Sequence, residues 1–178
     1  IISLMLGSGT TANAMKHGLS VDVSTGLTPL QGLVQSTRSG DIDPAAVTYI
    51  MKQEGLTPEQ MDDILNKKSG WFGISGVSND LREVEQAAQQ GNKRAKLAID
   101  TFVYSCKKYI GAYAAAMNGF DVLAFSGGIG EKSAYIRQEI CNNLEFLGII
   151  IDEDKNCDKT LPRSITKSNS RVQVLVVP

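Results

Sequence analysis

Two glycine-rich segments carry residue types that can do chemistry. Leu6-Gly7-Ser8-Gly9-Thr10-Thr11 follows the apolar stretch Ile1-Ile2-Ser3-Leu4-Met5, and Ser126-Gly127-Gly128-Ile129-Gly130-Glu131 follows Val122-Leu123-Ala124-Phe125. A helical pattern beginning near Ser133 completes the second as strand, glycine turn and helix. Glycines let the backbone approach an anion closely, while the free N–H groups and positive dipole end of a helix favour phosphate. Either turn alone needs glycine whether or not a ligand exists; two in one chain predict a nucleotide site.

Composition narrows the class. With 178 residues and a net charge of −1, the chain is long enough for one large domain with a real core. Balanced charge argues against a nucleic-acid platform, and the local pair Lys107-Lys108 reads as a solvated helix face. Cys106, Cys141 and Cys157 lack metal-ligand spacing, and one histidine cannot complete a zinc set, so no protein-held metal and reduced, cytoplasmic thiols are expected. No apolar run reaches bilayer length, which predicts no membrane span. The chain opens inside a strand, the expectation for a fragment.

The elements that must position the glycine turns follow from periodicity. Ile1–Leu6, Ala12–Met15 and Leu19–Val23 read as three strands, the last two joined at His17-Gly18, which places His17 in an exposed turn. Asp43-Pro44 starts a helix with Val47, Ile50 and Met51 on one stripe and Gly55 as its stop. Thr57-Pro58-Glu59-Gln60 forms a capping box, and a short helix between Asp80 and Gln90 closes at Gly91. The longest periodic stretch runs from Ala95 through Ile99, Phe102, Cys106, Ile110 and Tyr113 to Met117, a buried central helix. Then come strand Val122–Phe125, helix Ser133–Leu147 with Ile136, Ile140 and Leu144 inward, strand Gly148–Ile151, a polar loop, and strand Val172–Val177.

This is an α/β order, three strands, helices, strand, helix, strand. It is that of the ribonuclease H-like domain of the actin and sugar-kinase superfamily, a mixed five-stranded sheet with flanking helices. Denser agreement comes from local motifs. Ser24-Thr25-Gly26-Leu27-Thr28-Pro29-Leu30-Gln31-Gly32-Leu33, Ser36-Thr37-Arg38-Ser39-Gly40-Asp41-Ile42-Asp43-Pro44, Leu65-Asn66-Lys67-Lys68-Ser69-Gly70, Gly73-Ile74-Ser75-Gly76, Ser78-Asn79-Asp80-Leu81-Arg82, Lys108-Tyr109-Ile110-Gly111-Ala112-Tyr113, Gly128-Ile129-Gly130-Glu131 and Leu144-Glu145-Phe146-Leu147-Gly148-Ile149 stand in order along the chain. In these the chain resembles the second half of the acetokinase family of acyl-phosphate-forming kinases.

The resemblance implies a single C-terminal, nucleotide-binding domain over residues 1–178, from a reversible phosphotransferase converting ATP and acetate to ADP and acetyl phosphate. Magnesium would arrive with ATP or ADP, and the chain would form a homodimer. Propionate is the competing acceptor; a catalytically impaired nucleotide-binding or scaffold domain is the reading from another class. Arg38 matches the family's catalytic arginine, whose planar, permanently charged guanidinium suits a phosphoryl group in flight; its structural alternative is a salt bridge with Asp41 or Asp43. Asp80, Leu81 and Arg82 match the adenosine end of the site, although by themselves Asp80 reads as an N-cap and Arg82 as a solvated charge. Gly128, Ile129, Gly130, Glu131 and Lys132 match the segment lining base and phosphates, and Met5, Leu6, Gly7, Ser8 and Gly9 the first phosphate loop.

Three positions depart from the family pattern. The first loop has Met5 where the family has histidine and Ser8 where it has asparagine, and Lys132 replaces an asparagine after Gly-Ile-Gly-Glu. Methionine offers no charged donor, so the glycine backbone must do the cradling. The family's first domain and C-terminal tail, with further catalytic and magnesium-binding groups, are expected to lie outside this chain, leaving this half nearly inactive alone.

Overall fold

Apolar residues at every second position of the first strands dictate where the sheet buries itself. The structure is a computed structural model describing residues 1–178. It divides into two compact units, one of Ile1–Ser24 with Val103–Pro178, the other of Thr25–Phe102.

The first unit holds a six-stranded sheet in the order β3-β2-β1-β4-β6-β5. Its strands are β1 (Ile2–Leu6), β2 (Thr10–Lys16), β3 (Leu19–Val23), β4 (Val122–Ser126), β5 (Arg163–Ser164) and β6 (Gln173–Val176). β1 pairs antiparallel with β2 and parallel with β4, and β4 pairs parallel with β6. The registers Ile2↔Leu123↔Val174 and Leu4↔Phe125↔Val176 put six side chains on one face, each fully buried. Each such residue contributes roughly 1.5–3 kcal/mol on leaving water, so a one-residue slip in register is strongly disfavoured. β2 and β3 turn at His17 and Gly18, with φ of 53° and 80°; His17 is exposed, as expected.

The second unit is helical: α1 (Pro44–Glu54), α2 (Pro58–Lys67), α3 (Gly70–Ser75) and α4 (Leu81–Gln89), followed by α5 (Lys93–Met117), within which the chain passes from this unit to the first. The predicted start signals are in place. Asp43 accepts a bond from the Ala45 amide, and Thr57 and Gln60 form the reciprocal capping box. Trp71 and Phe102 pack edge to face, centroids 5.2 Å apart, and both are buried. In the first unit, Cys106, Ile110, Tyr113 and Met117 of α5 are buried, as their spacing predicts. The Val47, Ile50 and Met51 stripe of α1 is only half-buried.

Several elements differ from the sequence reading. The glycine run is no simple turn: α6 (Gly127–Lys132) begins directly after β4, and a break at Ser133 precedes α7 (Ala134–Cys141). α7 stops short of Leu147 because Asn143 adopts φ of 60°, which asparagine tolerates; a 3₁₀ turn at Glu145–Leu147 follows, and Leu144 is still buried. Gly148–Ile151 is not a strand. Its backbone groups bond Ser170, Lys167, Arg171 and Val172, leaving one bridge, Ile151 to Thr166. The polar loop contains a short helix, α8 (Glu153–Cys157), and β5, which adds a sixth strand beside β6; two residues are too few to show a period.

Burial also decides the thiols. Cys106 and Cys141 are buried and Cys157 exposed. Burial pushes the Cys106 thiol far up and the Cys141 thiol up to about 12. A thiol-exchange reagent is therefore expected to label one cysteine per native chain rapidly and all three only in denaturant. Both buried thiols stay protonated while their unfolded counterparts ionise, so their contribution to stability is full below the ordinary thiol range and declines as pH rises above about 9. A thermal midpoint that holds level up to that pH and falls beyond it is the expected readout.

Candidate functional site

Parallel pairing of β1 with β4 decides where the two glycine segments go. Met5 stands opposite Ser126, so both strands end at the same edge of the sheet and both glycine segments leave from there. Gly7-Ser8-Gly9 turns β1 into β2, closed by a 3.0 Å bond from the Gly7 amide to the Gly9 carbonyl. Gly127 leaves β4 with φ of 74°, and a Cβ there would lie 2.7 Å from the Leu6 carbonyl oxygen. The two predicted loops are therefore neighbours, and Gly127 is the residue that lets them meet. Sequence reading named the run containing Gly127 but placed the ligand contacts on Gly128 to Lys132.

Ser126 at the head of α6 makes no side-chain cap bond, and open space surrounds the Cβ position of Gly128. Uncapped amides beside unfilled space at a glycine-rich helix start can receive oxyanion oxygens. At the other end of α6, the Arg137 guanidinium donates to the carbonyls of Gly130 and Glu131 at 2.8 and 3.0 Å and to both oxygens of Asn156. This buried arginine anchors α6 to α7 and α8. Sequence reading missed it; a lone arginine beside Ile136 carries no pattern. Met5 is 53% exposed on its strand and cannot donate a hydrogen bond, as anticipated.

In the helical unit, α3 holds the other predicted residues. The amides of Trp71 and Phe72 donate to the carbonyls of Gln35 and Ser36, each at 2.9 Å, and the Ser69 amide donates to the Thr37 carbonyl. These bonds seat the Ser36-Thr37-Arg38 loop on the amino end of α3. Contact is so close that a Cβ on Gly70, whose φ is 61°, would lie 2.1 Å from the Gln35 carbonyl oxygen. The Trp71 indole N–H donates to the Asn79 carbonyl at 3.0 Å, tying the start of α4 to the same helix.

Arg38 forms neither of the ion pairs that stood as its structural alternative. Its Nη1 donates to the Gln35 amide oxygen at 3.2 Å, while Asp41 accepts from the Gly32 amide and Asp43 caps α1. Asp80 is the N-cap of α4, as its residue type alone predicts. Arg82 folds back onto it, donating through Nε at 3.0 Å and Nη2 at 2.5 Å. The Arg82 guanidinium and amide hold the Asp80 carboxyl below the usual carboxylate range. Leu81 between them is buried. The structure thus groups Met5–Gly9 with Gly128–Lys132 in one unit and Arg38 with Asp80–Arg82 in the other.

A model of the Acetokinase family matches residues 1–178. The chain is 51% identical over its whole length to the acetate kinase of Treponema denticola, of which it covers 45%. Among solved structures it matches Porphyromonas gingivalis acetate kinase with a TM-score of 0.96 and 47% identity, covering 99% of this chain and 45% of that one. A propionate kinase from Francisella tularensis matches with a TM-score of 0.92 and 43% identity, again over 99% of this chain and 45% of its own. The chain spans somewhat under half the length of these relatives.

The two glycine environments at α6 give opposite expectations. Gly127→Ala is expected to lower stability by roughly 2 kcal/mol or more, from a strained positive φ and a backbone clash. Gly128→Ala fills open space and is expected to leave stability level or raise it by up to about 1 kcal/mol. Paired denaturant titrations check both, and equal losses at the two positions would contradict the geometry.

Proposed function

Because the chain belongs to the acetokinase family, matched along its whole length, we propose that it is the nucleotide-binding part of a kinase that moves a phosphoryl group between ATP and acetate, forming ADP and acetyl phosphate. The observation supporting a working nucleotide half is the juxtaposed pair of glycine segments at the ends of β1 and β4. In this reading the backbone of Leu6 to Gly9 and the first turn of α6, with Gly128 to Glu131, receive phosphate oxygens and base. Lys132 contributes a cation where it stands at the end of α6. Asp80 takes a ribose hydroxyl, Leu81 fixes the start of α4 by its burial, and Arg82 stacks on or pairs with the nucleotide. Met5 contributes strand backbone.

Arg38 is assigned to the phosphoryl group in transfer. A guanidinium held by one neutral side chain keeps its charge available for an oxyanion. Reaction occurs by in-line attack of the acetate carboxylate on the terminal phosphorus, breaking its bond to the ADP oxygen, with Arg38 donating to oxygens on which charge accumulates. No group of three or more His, Cys, Asp or Glu side chains could hold a metal ion in this chain. Magnesium is assigned to the nucleotide phosphates on which it arrives, as the family resemblance implies.

Propionate is the second acceptor, supported by the likeness to a propionate kinase; one methylene separates the substrates and gives discrimination of only about 1–3 kcal/mol. No helix is long and apolar enough to cross a membrane. A homodimer in the cytoplasm is the proposed state, checked by solution mass.

The test has two arms. Mg-ADP titrated calorimetrically into the chain is expected to bind, and to bind several-fold more weakly in Asp80→Ala and Gly128→Val. A folded chain whose affinity is unchanged in both variants would overturn the nucleotide assignment. In the full-length enzyme, or in this chain joined to an acetokinase first domain, acetyl phosphate formation is expected to fall about 10³-fold in Arg38→Ala. Retained ADP binding without any turnover in a folded parent would favour a binding or scaffold domain instead.

A further inference from the structure

Beside the carboxyl end of α6 lies a cavity of about 450 Å³, lined by Lys132, Arg137, Lys159 and Arg163 with only Glu131 and Asp158 to offset them. Arg163 lies on β5, and its Nη1 donates to the Thr160 carbonyl at 2.7 Å. Its Nε–H is buried and has no acceptor. Buried polar hydrogens are ordinarily paired, and this unpaired one belongs to a residue of the cavity lining.

The neighbouring charges point the same way. Arg137 is 1% exposed and donates only to neutral oxygens, those of Gly130, Glu131 and Asn156, which leaves one Nη2 hydrogen unspent. Burial, and then the charge of Arg163, draw its proton affinity down to about 10. Two guanidinium groups therefore repel each other across a partly dry space with no carboxylate paired to either. Asp158 forms no ion pair with them: its two oxygens accept from the Thr160 amide and hydroxyl, each at 2.9 Å, and its charge offsets that of Arg163 only from a longer distance. Lys132, exposed at the end of α6, makes no hydrogen bond and no ion pair.

We propose that this cavity binds a phosphate-type oxyanion, held by Arg163 and Lys132 over the buried Arg137. Its donors come from three elements, β5, α6 and α7. A planar carboxylate is matched to one guanidinium fork, whereas a tetrahedral oxyanion offers oxygens in several directions at once. An acceptor there satisfies the open Nε–H and relieves the repulsion between the arginines in one step. Because Arg137 also carries the Gly130 and Glu131 carbonyls, occupancy braces the carboxyl end of α6. The site shares Lys132 with the nucleotide reading, whereas Arg163 and Arg137 belong to this cavity and have no part in that reading.

Inorganic phosphate titrated into the 178-residue chain at fixed ionic strength is the test, with sodium chloride as the control. Saturable binding is expected, weakened about tenfold or more in Arg163→Gln and several-fold in Lys132→Gln, with unchanged circular dichroism. Lys132 is exposed, so its variant carries the test if Arg163→Gln does not fold. Glycerol phosphate distinguishes the sources: displacement of phosphate assigns an esterified ligand, and failure to displace assigns the free ion, the site standing in both cases. Phosphate that binds both variants as tightly as the parent sits elsewhere and overturns the proposal, as does the lack of saturable binding below about 10 mM. Mg-ADP affinity measured on Arg163→Gln, a residue outside the nucleotide reading, reports that reading separately.

Discussion

The approach of Gly127 to the Leu6 carbonyl is the contact on which the sheet edge depends. β1 and β4 are parallel neighbours that finish level, so whatever follows each strand competes for the same space. A side chain on Gly127 would overlap the Leu6 backbone, and its positive φ is one that side-chain-bearing residues rarely adopt. Removing the Cβ solves both problems and lets α6 start at once. The register that buries Leu4 against Phe125 is the same register that brings two glycine turns together, so core packing and site geometry are one constraint read on two faces of the backbone.

The helical unit reaches a comparable end by satisfying buried polar groups. The first amides of α3 have no acceptor within the helix, and the loop from Gln35 to Thr37 presents carbonyls to them. At its other end, α3 has its Gly73 and Ile74 carbonyls taken by Arg94. A six-residue helix has little stability of its own. Bonds at both ends and the Trp71 contact with Phe102 make it a fixed post, from which Arg38 and the start of α4 are hung.

Sequence made the strands, long helix and caps legible, because alternation, helical spacing and residues such as Asp43 and Thr57 act locally. Family resemblance supplied the candidate site residues, which the structure gathers in two groups, one in each unit. The exceptions were set by contacts distant in sequence. α6 needed the Leu6 carbonyl to explain Gly127; Gly148–Ile151 lost its strand to a loop twenty residues later; β5 exists only because β6 offers an edge. Asp80 shows the converse: its N-cap role followed from residue type, whereas the bidentate grip of Arg82 required the geometry.

The arginines show why the hydrogen-bond partner, more than the residue type, sorts structural from chemical roles. Arg137 spends four N–H groups on neutral oxygens and is buried, so its charge is fixed in place as a brace. Arg82 is exposed and already committed to a carboxylate, so any anion it meets must compete with Asp80. Arg38 has a single 3.2 Å bond to an uncharged amide and no ion pair to surrender. A cation positioned by its loop but not neutralised has little reorganisation to undergo when charge develops nearby, and that is the condition under which electrostatic stabilisation of a transition state is most effective. Among these three guanidinium groups, Arg38 has the fewest protein partners and so the least reorganisation to undergo on meeting an oxyanion.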